Sequence, residues 1–91
     1  TEWAVSDILT ASATLNFASQ STGTREDLPI AVTGAAEGDA VQVSVPVASI
    51  GPIIGSYSGF ASNGVVYVRF VSAAATQDPA SGTFRVIVTK F

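Results

Sequence analysis

Hydrophobic and polar residues alternate with a period of two along most of this chain. Ala13, Leu15 and Phe17 are separated by Thr14 and Asn16, which predicts a half-buried strand. Leu28, Ile30 and Val32 alternate with Pro29, Ala31 and Thr33, and Pro29, lacking an amide donor, assigns this strand to a sheet edge or a break in the ladder. Val41, Val43 and Val45 point one way and Gln42 and Ser44 the other, until Pro46 ends the run. Tyr57 to Ala61 forms a short strand, and Ser62-Asn63-Gly64 is a hairpin signal, because Asn-Gly readily takes the positive φ values of a type I′ turn. The return strand Val65 to Ser72 is apolar on both faces, Val66/Val68/Phe70 and Val65/Tyr67/Arg69/Val71, so it is predicted to be central with both sides covered. Pro79 and Gly82 reverse the chain before a last strand with Phe84, Val86 and Val88 on one face and Arg85, Ile87 and Thr89 on the other.

The pattern predicts an all-β fold: a small antiparallel β-sandwich or a jelly-roll-like barrel of about six to eight strands. Residues 11–91 form its single domain. Residues 1–10 read either as an N-terminal arm that lays Trp3 on another surface or as a first strand capping the domain's own core. The stretch 47–55 is apolar yet broken by two glycines and a proline. Five aliphatic residues on a free loop would make a sizeable exposed patch, so this loop is expected to be held against something.

Composition narrows the chemistry. Of 91 residues 47% are hydrophobic and only 12% charged, sparse for a small domain that presents most of its residues to water, and burial against partner chains is the expected remedy. There is no cysteine and no histidine, which removes disulfides, thiolate metal sites and the commonest general base together. The net charge is −3 and the four basic residues are scattered, so no phosphate-tracking surface is predicted and nucleic acid is not an expected partner. No apolar run approaches the ~20 residues of a membrane span, and the N-terminus lacks a secretory pattern. A chain beginning at Thr1 reads as a stand-alone, cytoplasmically made polypeptide that has lost its initiator methionine; a processed product would look the same.

Catalytic candidates are few. Serines and threonines have no histidine partner and fall at turns and outward strand positions; Glu26 and Asp27 are adjacent and Glu37, Asp39 and Asp78 lie near turns, in no ordered ligand motif. The chain is therefore read as a non-enzyme without cofactor or metal. Arg69 and Arg85 lie inside apolar strands, where pairing with a carboxylate such as Asp78 or Asp27 is expected, across the sheet or between subunits. Tyr57, Phe60 and Tyr67 flank the hairpin, and Tyr57 and Tyr67 are candidates for stacking against a glycan.

Four stretches in order carry a resemblance: Leu28 to Ala35, Gly38 to Val41, Val66 to Phe70, and Asp78-Pro79-Ala80-Ser81-Gly82-Thr83-Phe84-Arg85-Val86. Together they resemble a β-rich module of tailed-bacteriophage virion proteins over about residues 11–90. The resemblance implies a capsid decoration protein or part of a head or tail fibre, usually homotrimeric, on the virion surface and without catalytic residues. The chain is short and has no repetitive shaft, which favours a decoration (cement) protein bound to the major capsid protein. A fibre module recognising a host-surface glycan is the alternative. On this reading Trp3, Val5, Ile8 and Leu9 dock onto the shell, Ile50, Ile53 and Ile54 make trimer contacts, and Arg85 and Phe91 join them between subunits.

Overall fold

The computed structural model describes residues 7–50 and 53–90. Among these the chain forms strands β1 (Asp7–Leu15), β2 (Arg25–Ala31), β3 (Ala40–Ser44), β4 (Gly55–Ser62), β5 (Val65–Ser72) and β6 (Gly82–Lys90), with one short 3₁₀ turn at Val47–Ser49. They make two three-stranded antiparallel sheets, ordered β1-β6-β3 and β2-β5-β4. The sheets pack face to face as a sandwich and do not close into a barrel, so the jelly-roll-like alternative is not formed.

Each sheet is built around its most apolar strand. β6 buries Phe84, Val86 and Val88, and its neighbours place Leu9, Ala11 and Ala13 of β1 and Val41 and Val43 of β3 on the same inner face. β5 buries Val66, Val68 and Phe70 between Leu28 and Ile30 of β2 and Tyr57 and Ala61 of β4. Phe17, just past β1, closes the core, with its ring 5.7–6.0 Å from those of Tyr57, Phe70 and Phe84. Burying a side chain of this size contributes about 1.5–3 kcal/mol, so this aromatic cluster is a principal source of stability for so small a domain.

β5 is central, as its composition requires, but its second face is only half-buried: Val65, Tyr67, Arg69 and Val71 keep contact with solvent. They are shielded by their own neighbours in the sheet rather than by a third layer. Pro29 stands on β2, an edge strand, where a missing donor costs no ladder bond. Asn63 and Gly64 close the β4–β5 hairpin as the two-residue loop expected of them, with Ser62 opposite Val65. The turn is not type I′, because Gly64 alone of the two has positive φ (77°), the requirement of a type II turn. Tertiary bonds offer a reason: Gly64 donates its N–H to the Ala35 carbonyl (2.8 Å) and accepts from the Val32 N–H (3.0 Å), docking the turn onto the end of β2.

Asp7–Thr10 belong to β1 and pair with β6 from Lys90 to Ile87, so these residues are strand rather than arm. Trp3, Val5 and Phe91 lie outside the described residues.

Candidate interaction surface

The loop after β3 combines internal anchoring with external apolar surface. Pro46 introduces the 3₁₀ turn and lies where a Cβ on Gly82 would meet its Cγ at 2.6 Å, so only glycine lets β6 pass this close. Ser49 is fully buried; its hydroxyl donates to the Ala80 carbonyl (2.6 Å), and its own carbonyl accepts from the Tyr57 hydroxyl (2.6 Å). Burial pushes the Tyr57 phenol above its ordinary value of 10.0, so it stays a donor through the neutral range. Further along, Ile53 packs against the core, the Ile54 N–H donates to the Gln77 side-chain carbonyl (2.9 Å), and the Ala73 N–H donates to the Ile54 carbonyl (3.0 Å).

These bonds hold the loop from inside and leave an apolar rim outside. Val47 is 82% exposed, Ile50 49% and Ile54 57%. Residues three apart in a 3₁₀ turn eclipse, so Val47 and Ile50 share one side of it. Of the three isoleucines expected at a trimer contact, Ile50 and Ile54 are available and Ile53 serves the core. Val47 is the rim residue that the sequence expectation leaves out; its signal was the Val-x-x-Ile spacing directly after Pro46.

The remaining candidates are dispersed. Ile8 is exposed on the outer face of β1, while Leu9, one residue on, faces the core. A strand cannot present both to one partner. Tyr57 and Tyr67 lie on opposite faces of their sheet: Tyr57 has its ring against Phe17, Phe70 and Phe84, and Tyr67 stacks on Phe60 with centroids 5.4 Å apart. No stacking site can therefore combine the two tyrosines. The hairpin register carries this information, since a two-residue loop sets Tyr57 opposite Phe70 and Phe60 opposite Tyr67.

Most charged groups are engaged. Arg69 lies directly across from Asp27 in the β2–β5 register and donates through Nε and Nη2 to its two carboxylate oxygens at 2.8 and 3.0 Å, with the guanidinium 5.2 Å from the Phe60 ring centroid. That hydrogen bonding holds the Asp27 carboxyl below its ordinary 3.8. Lys90 Nζ donates to Asp39 at 2.6 Å, and the Ala36 N–H donates to the same carboxylate at 2.9 Å; the lysine bond and then the backbone bond pull its pKa down. Glu26 accepts from the Ala18 N–H at 2.7 Å. Among the described residues no three carboxylates gather in one place. Arg85, by contrast, is exposed on the outer face of β6 and makes no ion pair there with any described residue.

No helix among the described residues is long and apolar enough to cross a membrane. Comparison of the chain with protein-family models, with curated proteins and with solved structures finds no match.

Proposed function

We propose that this chain is a non-enzymatic structural protein of a tailed-bacteriophage particle, a small decoration protein that trimerises on the outer capsid surface and stabilises the shell. The ordered resemblance of Leu28–Ala35, Gly38–Val41, Val66–Phe70 and Asp78–Val86 to virion modules supports the particle. The observation that carries self-association is the rim of Val47, Ile50 and Ile54, exposed on a loop whose backbone is pinned by Ser49, Tyr57 and Gln77. Pre-ordered apolar residues lose little conformational freedom on association, which is where a loop otherwise forfeits affinity. A heterologous contact that closes after three copies gathers three such rims around one axis. A trimer then offers three equivalent attachments to neighbouring capsomers, and the linked contacts add strength against outward pressure without new chemistry.

Sedimentation velocity of the purified chain is the first test, with a three-chain species expected. Replacing both Ile50 and Ile54 by Asp gives folded monomers whose melting temperature lies below the trimer's and no longer rises with protein concentration. A monomeric parent chain, or a trimer indifferent to the double substitution, refutes this assembly. Docking is tested separately by removing residues 1–6, which leaves the described β1–β6 pairs, Asp7–Leu15 with Gly82–Lys90, in the chain. Loss of co-sedimentation with capsids, with the trimer retained, is the outcome that supports attachment through Trp3 and Val5.

A further inference from the structure

The outer face of β1-β6-β3 uses none of the rim residues and differs from them in chemistry. Strand register lays it out in rows: Ile8, Thr89 and Ala40; then Thr10, Ile87 and Gln42; then Ser12, Arg85 and Ser44; then Thr14 and Thr83. No row contains a carboxylate. The middle two rows line a shallow concavity of about 970 Å³, with Thr10, Ser12, Gln42, Ser44, Arg85 and Ile87 at its surface. The chain carries net negative charge, and of its four cations Arg69 and Lys90 are matched to Asp27 and Asp39 while Arg25 and Arg85 make no ion pair among the described residues. Arg25 begins an edge strand of the other sheet, whereas Arg85 stands mid-sheet. Arg85 is a guanidinium on the central strand of the sheet, flanked on both sides by serine and unpaired among the described residues.

We infer that this concave face binds an acidic saccharide, with a carboxylate of the sugar received by Arg85. A guanidinium presents two parallel donors to a carboxylate, a geometry that neither lysine nor a hydroxyl can reproduce. Ser12, Ser44, Thr10 and Gln42 surround it with groups that both donate and accept, the complement of a ring carrying several hydroxyls. Ile87, 41% exposed in the next row, supplies an apolar contact for the face of a sugar ring. Three strands about 4.8 Å apart and two rows about 7 Å apart span an area suited to one or two sugar units. An acidic peptide is the less suitable occupant, because extended peptides pair with a sheet edge or lie in a deep groove, and this shallow surface spans the middle of a sheet. This inference stands independently of the trimer.

The test is amide chemical-shift mapping of the intact chain against oligogalacturonate, N-acetylneuraminic acid, and neutral galactose and glucose oligomers at millimolar concentration. Expected are shifts at Ser12, Gln42, Ser44 and Ile87 with an acidic sugar, weakened by salt and absent with the neutral ones. Arg85→Gln reduces that affinity at least about tenfold while leaving the melting temperature unchanged, since the side chain is exposed. The inference is overturned if no acidic sugar moves these amides, if neutral sugars move them equally, or if Arg85→Gln leaves the affinity as it was. It is equally overturned if an oligoglutamate peptide moves them and the saccharides do not.

Discussion

Replacing Gly59 by alanine tests how the two sheets are held apart. Gly59 lies on the inner face of β4, and a Cβ placed on it meets Val43 Cγ2 at 2.5 Å and Val41 Cγ1 at 3.0 Å. Both valines project from β3 in the opposite sheet. Valine is stiff at χ1 and has no flexible end to swing away. β3 has little room to retreat either, because Val41 and Val43 are in register with Val88 and Val86 of β6. Overpacking of this kind costs about 1–3 kcal/mol, offset by about 0.5–1 kcal/mol from removing the conformational freedom of glycine in the unfolded chain. A net loss of about 1–2 kcal/mol corresponds to a melting temperature lower by about 4–16 °C in a domain of this size. Urea unfolding followed by far-ultraviolet circular dichroism measures it directly. The stronger form is a double-mutant cycle with Val43→Ala, which by itself removes two methyl groups and costs about 1.5 kcal/mol at about 0.8 per group. In that background Gly59→Ala becomes neutral or stabilising, a coupling of about 1 kcal/mol or more between positions on different sheets. Additivity of the two changes, or stabilisation by Gly59→Ala in the parent chain, would refute the close approach of β4 to β3.

Phe17→Ala empties the centre of the aromatic cluster and is expected to cost about 3–5 kcal/mol, a large part of the about 5–15 kcal/mol available to such a domain; equilibrium unfolding, or failure to fold at 37 °C, reads the effect. Tyr57→Phe keeps the ring in the core but deprives the Ser49 carbonyl of its hydroxyl donor, so a loss of about 1 kcal/mol is expected, together with faster hydrogen exchange at the Ile50 and Ile53 amides. Asp27 and Asp39 titrate below 3.8 in the folded chain, so their pairing stabilises the fold at neutral pH and is lost as pH falls through the folded-state values. Acid unfolding should therefore steepen below about pH 4, and Asp27→Asn with Asp39→Asn should flatten that limb while lowering stability at pH 7.

Local alternation along this chain identifies the course of most of its strands, because a pleated strand sends successive side chains to opposite faces and one of those faces is buried; the exception is β1, which reaches back to Asp7 within the stretch left open between arm and strand and stops at Leu15, short of Phe17. Phe84, Val86 and Val88, or Val66, Val68 and Phe70, are readable as inner faces for that reason. Proline at position 29 announces an edge, and Asn63-Gly64 announces a hairpin. Parity also reaches further than grouping by proximity does: Leu9, Ala11, Ala13 and Leu15 form one continuous series that extends β1 toward the N-terminus and separates Leu9 from Ile8. The same parity, carried across the hairpin, places Tyr57 inside and Tyr67 outside.

What alternation cannot supply is the partner of each strand. Apart from the β4–β5 hairpin, every consecutive pair of strands here divides between the two sheets, so β6 is flanked by β1 and β3 rather than by β5. Burying Phe17, Phe70 and Phe84 in one cluster requires both sheets at once, and no local pattern records that joint requirement. The pairing in turn decides the surfaces. It carries Asp27 across from Arg69, draws Ile53 into the core while leaving Val47, Ile50 and Ile54 outside, and sets Arg85 between Ser12 and Ser44. The sequence alone determined where most strands run and which of their faces are apolar, because those are properties of neighbouring residues, but not that β1 takes in Asp7–Thr10 and leaves Phe17 beyond its end. Which exposed residues stand side by side was decided only by the tertiary pairing, because strands from distant parts of the chain meet wherever the core is best filled.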